Sequence, residues 1–327
     1  MTSTATSKPK LAILDDYQGV SLSFADWNAV KGRVETIDVY RDTLHDENAI
    51  VQRLQPYEII CAMRERTKFT KGVLERLPNL RFIASTGLYN RGIDTPFART
   101  RGVVASGTGG GGDAVLEHIW ALILGSVRQI VREDAHLQAG NLQWQTSVPI
   151  GLSGRTIGLL GVGRLGSQVA AVAKVFGMRV IGWSPNLTME RAGKAGVEFV
   201  AEKEELLKQS DVLSIHLVHA PSTHHILKLS DLLLLPAHAH LINTSRGPLV
   251  EEAALLQVLR EGKIAGAGLD VYDIEPLPLD HELRRLKNVT LTPHSAYVSD
   301  SNYKVFYEQT VENVLAYLDG KPIRVYE

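Results

Sequence analysis

The chain has 327 residues, with 35 Lys and Arg against 36 Asp and Glu, for a formal net charge of -1. A surface so evenly charged lacks the basic footprint of a nucleic-acid or anionic-membrane binder, and the length suits two domains better than one core. A single cysteine, Cys61, excludes an internal disulfide and fits a reducing, cytoplasmic compartment.

The opening stretch MTSTATSKPK has no apolar run of the kind a signal peptide needs. Residues 11–107 alternate strand-like runs (LAILD, VETIDVY, EIICAM, RFIAST, VVASG) with helix-like ones (DENAIVQRLQ, TKGVLERLP). That rhythm predicts a parallel sheet with crossover helices. Cys61 falls inside EIICAM, where a buried strand residue is expected and not a nucleophile. Next comes GTGGGGD, residues 107–113. A glycine run can cradle phosphate, but this one lacks the Lys-Ser/Thr pair of a P-loop, so it reads as a flexible hinge with Asp113 capping the helix from Ala114. That helix, VLEHIWALIL, is apolar on more than one face and is the expected contact of a homodimer. Its most apolar stretch, IWALILGSV, is too short to span a bilayer.

Residues 156–186, TIGLLGVGRLGSQVAAVAKVFGMRVIGWSPN, carry GxGxxG at Gly161, Gly163 and Gly166. The motif alone is a weak signal, but its surroundings are informative. A short apolar strand precedes it, a helical pattern ending at Gly177 follows, and a second strand, RVIGW, comes next. Strand–turn–helix–strand over about 30 residues is the unit that binds a dinucleotide. The first glycine makes the tight turn, the second lets backbone N–H groups approach pyrophosphate, and the third lets the helix pack closely with its positive end toward the phosphates. The second strand ends Trp183-Ser184-Pro185-Asn186, without the acid that favours NAD. Ser184 cannot repel a 2′-phosphate, and Arg191 and Lys194 lie shortly downstream, so NAD and NADP both remain open.

Strand-like runs return as DVLSIHL, HLINTS, IAGAGLDV and VTLTP, with EEAALLQVLREG as the clearest helix between them. Five histidines lie in HAPSTHH and HAH (His219, His224, His225, His238, His240); without a cysteine among them they read as solvated loops and helix ends, not a metal site. The last helix, roughly 299–319, has apolar residues at helical spacing and ends at Gly320. The fold expected is α/β, with two doubly wound parallel-sheet, Rossmann-like lobes and a cleft between them. Residues 1–112 plus 299–327 would form the substrate lobe and 113–298 the cofactor lobe.

Ligands of open parallel sheets bind at the carboxyl ends of the strands. LINTSRGPLVEEAAL puts Arg246 just after a strand; GAGLDVYDIEPLP puts Asp270 in one and Glu275 five residues on; VTLTPHSAYVS puts His294 after another. Singly, these are a loop cation, a surface acid and a loop histidine. Jointly, they are an arginine, a carboxylate and an imidazole on three strand ends of the lobe that carries the glycine motif.

With these segments in order, the chain resembles the D-isomer-specific 2-hydroxyacid dehydrogenase family, which includes phosphoglycerate dehydrogenases and glyoxylate/hydroxypyruvate reductases. The resemblance spans nearly the whole sequence, through AMRERTKFT, STGLYNRGID, VLEHIWALIL, GLSGRTIGLLGVGRLG, SIHLVHAPST, INTSRGPLVEEAAL, LDVYDIEP and TPHSAYV. It implies that Arg246, Glu275 and His294 are the catalytic trio and that Asp270 contacts the nicotinamide carboxamide. It also implies that Arg164 and Leu165 lie over the pyrophosphate, that Thr244 and Ser245 line the cofactor site beside His294, and that Arg64 with the backbone around Leu88 and Tyr89 holds the substrate carboxylate. Two positions depart from the family pattern: Tyr89 stands where glycine is usual, and PHSAYV replaces the commoner PHIGG. The lack of a C-terminal regulatory domain argues mildly against the longer phosphoglycerate dehydrogenases, and the breadth of the family leaves glyoxylate, hydroxypyruvate and larger 2-oxo acids open as substrates.

The implied chemistry explains the residue types. Reducing a 2-oxo acid leaves an alkoxide that needs a proton, and histidine titrates near working pH. Glu275 beside it would favour imidazolium and orient the ring. Arg246 offers a rigid fork for a carboxylate and a polarised carbonyl. A Gln at 275 would instead have suited formate oxidation, which transfers no proton. The alternative from another class is an NAD(H)-sensing corepressor-like scaffold, which shares the fold and keeps the trio.

Overall fold

The computed structural model describes residues 8–110 and 113–327. The chain divides into two compact units, Met1–Gly112 with Val298–Glu327, and Asp113–Tyr297. The first unit runs β1 (Leu11–Ile13), α1 (Asn28–Lys31), β2 (Ile37–Val39), α2 (Glu47–Leu54), β3 (Ile59–Ala62), α3 (Lys71–Leu74), β4 (Phe82–Ser85), α4 (Thr95–Thr100) and β5 (Val104–Ser106). The second opens with α5 (Ala114–Val127), α6 (Ile130–Gln138), β6 (Thr156–Leu160), α7 (Arg164–Val175), β7 (Arg179–Trp183), α8 (Met189–Lys194), β8 (Glu198–Phe199) and α9 (Lys203–Lys208). It closes with β9 (Val212–Ile215), α10 (Leu229–Leu232), β10 (His240–Asn243), α11 (Glu252–Arg260), β11 (Gly266–Leu269) and β12 (Val289–Leu291), after which α12 (Asp300–Leu318) belongs to the first unit.

Both sheets are parallel throughout, so within each sheet the loops that follow the strands all lie at one edge. The first sheet has the order β2-β1-β3-β4-β5 and the second β12-β11-β10-β9-β6-β7-β8. Counted from β6, the second is the 3-2-1-4-5-6 order of dinucleotide-binding sheets with one strand added. Its strands are apolar on both faces, as a sheet covered on both sides requires. β6, β9, β10 and β11 bury essentially every residue, beneath α5 and α7 on one face and α10 and α11 on the other. In the first unit, α12 returns onto the sheet, with Tyr317 stacked on Phe82 at 4.4 Å between ring centroids.

Cys61 is buried in β3, and burial pushes its thiol pKa up, away from nucleophilic chemistry. Two expectations change. Asp113 occupies the N-cap of α5, but its side chain accepts no hydrogen bond from the first turn. Its backbone (φ -95°, ψ 11°) is not in the extended conformation that turns a capping carboxylate toward the helix N–H groups. The apolar faces of α5 are also already in use: Ile119, Trp120, Leu122, Ile123 and Val127 are buried within their own unit. The large exposed apolar side chains nearby are Ile130 and Val131 on α6 and Leu142, Trp144 and Val148 after it.

Of the glycine run, Gly111 and Gly112 lie outside the described residues. Gly107 and Gly109 are held by contacts of the first unit. A Cβ on Gly107 would sit 2.7 Å from the Gly87 carbonyl, and the Gly109 N–H donates to Gln309 of α12 at 2.6 Å. Among the described residues no single helix is long and apolar enough to cross a membrane.

Candidate active site

Strand register puts the candidate residues at one level. Leu160 of β6 pairs with Ile215 of β9, Ile215 with Asn243 of β10, Asn243 with Leu269 of β11, and Leu269 with Leu291 of β12. One row therefore crosses five strands, and one residue beyond it stand Gly161, His216, Thr244, Asp270 and Thr292. Arg246 and His294 each follow three residues past the row and Glu275 six, all at the same edge of one sheet.

The glycine loop leaves β6 at the point where strand order reverses, between β6 and β9. Gly161 has φ +109°, and a Cβ there would lie 2.8 Å from the His216 backbone; a Cβ on Gly166 would lie 2.3 Å from the Gly161 carbonyl oxygen. Both glycines are demanded by the protein's own packing. Gly163 is different: its Cβ would meet nothing within 4 Å. It is exposed, at the N-cap of the 12-residue α7, where no side chain caps the helix. An open, side-chain-free helix start at a switch point suits a pyrophosphate approaching backbone N–H groups. The residues present therefore fit a dinucleotide, with Gly161 to Gly166, including Arg164 and Leu165, as its phosphate cradle.

Ser184 follows β7 and is half-buried, its carbonyl accepting from Leu187 N–H at 3.1 Å. The two downstream cations separate. Arg191 donates to the Asn186 carbonyl at 2.9 Å, which holds its guanidinium beside the loop that carries Ser184. Lys194 pairs with Glu190 at 2.6 Å on the exposed side of α8.

On the other half of the sheet, Arg246 is set by its neighbours. Asn243 donates to the Arg246 carbonyl at 2.9 Å and accepts from Ser245 N–H at 3.0 Å, while the Ser245 hydroxyl donates to the Ile215 carbonyl at 2.8 Å. Gly247 presses this loop onto the next one: a Cβ there would lie 2.2 Å from the Tyr272 carbonyl carbon. Thr244, Ser245 and Arg246 are all half-buried.

Glu275 is used at both oxygens. Oε1 accepts from Tyr272 N–H at 2.9 Å, and Oε2 lies 2.5 Å from His294 Nδ1. Nδ1 is therefore the donor to the carboxylate, so a proton passed to a ligand would be carried on Nε2. The ring also meets the edge of Tyr297 at 6.0 Å.

Asp270, expected at the nicotinamide carboxamide, is enclosed in this structure: its side chain is 0% exposed. Oδ1 accepts from the Thr292 hydroxyl at 2.5 Å and from Ser295 N–H at 2.9 Å, and Oδ2 from Ala296 N–H at 2.9 Å. Its contacts here are with donors of the chain itself. Burial alone would raise its pKa, but hydrogen bonds from His118, Thr292 and Ser295 outweigh that and hold the carboxyl below its ordinary range. Sequence reasoning missed His118 and Thr292, because no local pattern ties a histidine beside Glu117 in α5 to a threonine after β12.

In the first unit, Arg64 has φ +52° and Gly87 φ +91°. A Cβ on Gly87 would lie 2.1 Å from the Arg64 guanidinium, so glycine is needed for the arginine to lie across this loop. Asn90 donates to the Arg64 carbonyl at 2.5 Å, and Arg64 N–H donates to the Thr86 hydroxyl at 3.0 Å. The structure thus brings Arg64 against the loop of Leu88 and Tyr89, which are 64% and 76% exposed.

The histidines of HAPSTHH cluster, with His219 Nε2 3.2 Å from His224 Nδ1 and the His224 and His225 rings stacked at 3.9 Å. Among the described residues, no group of three or more His, Cys, Asp or Glu side chains is placed to hold a metal ion.

Residues 120–296 match the family described as D-isomer specific 2-hydroxyacid dehydrogenase, NAD binding domain. The chain belongs to that family. It is 38% identical over 257 residues to glyoxylate reductase of Aeropyrum pernix, a match covering 76% of each chain. Phosphoglycerate oxidoreductase from Vibrio cholerae superposes with a TM-score of 0.89 at 34% identity, over 95% of this chain and 99% of that one. An acyclic imino acid reductase in complex with NADPH and D-arginine superposes with a TM-score of 0.73 at 30% identity, over 97% of this chain and 100% of the other. This 2-hydroxyacid dehydrogenase is an oxidoreductase with an NAD-binding domain that acts on the CH–OH group of a 2-hydroxy acid, or on the matching 2-oxo acid.

Proposed function

We propose that the dehydrogenase works chiefly as a reductase of a short 2-oxo acid of the glyoxylate or hydroxypyruvate kind, with His294 as its proton donor. The Glu275–His294 pair at 2.5 Å carries this reading, because a carboxylate held on Nδ1 fixes the ring and leaves the proton to be delivered through Nε2. When bound, the dinucleotide supplies a hydride for the carbonyl carbon. His294 delivers a proton from Nε2 to the oxygen that becomes the hydroxyl, and Glu275 holds the ring in position through Nδ1. Arg246 pairs through its planar fork with the carboxylate and polarises the carbonyl. Arg64 and the backbone of Leu88 and Tyr89 form the carboxylate-binding loop of the first unit, and Tyr89, standing where the family usually has glycine, reshapes that loop. Thr244 and Ser245 line the cofactor site. The relatives named glyoxylate reductase and hydroxypyruvate reductase support the substrate class. The test is a panel of 2-oxo acids assayed with NADH and with NADPH; highest kcat/KM on long or branched acids would overturn the substrate reading.

We infer further that the enzyme is a cytoplasmic homodimer. The exposed Ile130, Val131, Leu142, Trp144 and Val148 form the surface that a second copy would cover. Trp144→Glu should turn a dimer into a monomer in sedimentation; a monomeric parent protein would overturn the reading.

A further inference from the structure

His294 stands on strained backbone. Its φ is +49°, a left-handed conformation that a non-glycine residue holds only where its surroundings impose it. The residues that follow impose it: Ser295 and Ala296 N–H groups both point at Asp270, at 2.9 Å each, one to each carboxylate oxygen. Asp270 is thus a staple that closes the turn beneath the imidazole. A carboxylate with no exposed surface does this only while charged, and desolvation works against the charge.

The compensating contacts come from elsewhere in the fold. His118, on α5, places Nε2 2.9 Å from the Thr292 hydroxyl and 3.3 Å from Asp270 Oδ1, and Thr292 donates to the same oxygen at 2.5 Å. With Nε2 protonated, His118 is the donor at the head of a chain that runs through Thr292 to Asp270 and on to the turn of His294. We propose that His118 is a positioning residue for the reaction: through Thr292 and Asp270 it fixes the backbone turn that aims the His294 imidazole. This rests on the reading of His294 as proton donor. His118 has no part in binding substrate or moving its proton; it acts on the acid through the carboxylate and two peptide N–H groups. The other titratable groups facing the cluster are Tyr272 and Glu275, from the loop after β11. The Tyr272 hydroxyl donates to the Thr292 carbonyl at 2.8 Å, and its pKa is raised by burial and then by Asp270 and Glu275, so it stays neutral.

The test compares His118→Leu, which keeps bulk and deletes both ring nitrogens, with His118→Gln, which returns a side-chain N–H. His118→Leu should lower kcat on the preferred 2-oxo acid about ten- to hundredfold, the scale of a misplaced catalytic group. KM should change less than about threefold, and His118→Gln should recover most of the loss. The readout that does not need turnover is the nitrogen-15 titration of the His294 ring, whose midpoint should move by about half a pH unit or more in His118→Leu and return in His118→Gln. Wild-type kcat with an unmoved His294 titration in His118→Leu would overturn the proposal, and so would equal losses in the folded Leu and Gln variants. If His118→Leu does not fold, Thr292→Val and Thr292→Ser replace the pair: loss in Val with recovery in Ser supports the chain of contacts, and an unmoved His294 titration in Val overturns it. A parent protein inactive on every 2-oxo acid would remove the reading of function, while the His294 titration would still decide the role of His118.

Discussion

Glu275 holds His294 Nδ1 at 2.5 Å with one oxygen and the peptide N–H of Tyr272 at 2.9 Å with the other. The second contact keeps the carboxylate in place, so the first sets the ring's orientation. His294→Gln should lower kcat roughly 10²- to 10⁴-fold with cofactor affinity nearly intact. Glu275→Gln should lower it less, since the amide oxygen can still accept from Nδ1 and orient the ring. Turnover near wild type in His294→Gln would sink the assignment.

Arg246 is expected to act through geometry more than through charge. Its loop is fixed by Asn243 and by the contact of Gly247 with Tyr272, so the guanidinium is presented from a rigid base. Lysine keeps the charge and loses the fork. Arg246→Lys should therefore lose most of kcat/KM in steady-state assays; free exchange would show that a simple cation suffices.

The glycines of the phosphate loop should separate in their effects. Gly161→Ala combines φ +109° with a clash against the His216 backbone and should lower the unfolding midpoint. Gly163→Ala meets open space and should leave stability within about 1 kcal/mol, the usual scale of Gly-to-Ala entropy effects, while weakening NADH binding. Denaturant melts and NADH fluorescence titrations check both. Undiminished NADH affinity in Gly163→Ala would remove the glycine from the cofactor cradle.

Ser184 and Arg191 predict tolerance of both cofactors. An acid at the end of β7 would bind the ribose of NAD and repel the 2′-phosphate of NADP; serine repels neither. Arg191, held at the Asn186 carbonyl, stands near enough to the loop to serve a phosphate, whereas Lys194 is engaged by Glu190. Ser184→Asp should shift preference toward NADH at least about tenfold, the value of one charge-assisted hydrogen bond at about 1.4 kcal/mol per decade. Arg191→Ala should raise the KM for NADPH alone. Unchanged kcat/KM ratios for the two cofactors would mean that neither side chain faces the ribose.

Stability should fall in mild acid because of His240. Burial first, and His238 second, push its pKa down to about 4, and its Nδ1 lies 2.8 Å from the Ser126 hydroxyl. The unfolded chain titrates near 6.5 and takes up this proton earlier, so the neutral form's contribution is complete above about pH 6.5 and is lost as pH falls toward 4. The slope attributable to one such group is at most about 1.4 kcal/mol per pH unit. Urea midpoints at pH 4.5 and 7.5 should converge in His240→Asn relative to wild type; parallel losses in both proteins would exclude His240 as the cause.

The elements and the strand ends that carry the candidate residues were legible because their signals are local. A glycine fingerprint between two apolar strands, and polar residues directly after apolar runs, report backbone geometry within a few residues of themselves. The parallel sheet then converts position after a strand into position in space, which is why Arg246, Glu275 and His294 could be grouped before any coordinates. The N-cap at Asp113 misled for the same reason in reverse: residue type suits a cap, but capping depends on a φ and ψ that the chain after the glycine run does not adopt.

What the sequence determined by itself is the set of groups and the strand ends that carry them. What only the tertiary structure decided is how those groups are held. Asp270 reads in the sequence as a polar residue in a strand, and nothing local links it to His118 of α5. Their meeting depends on α5 crossing β11 and β12, about 150 residues or more further along the chain, and on a carboxylate staying ionised with no exposed surface. The same is true of α5 as a whole: apolar faces signal burial, but whether they are buried by the chain's own sheet or by a second copy is a property of packing, and here its own sheet covers them.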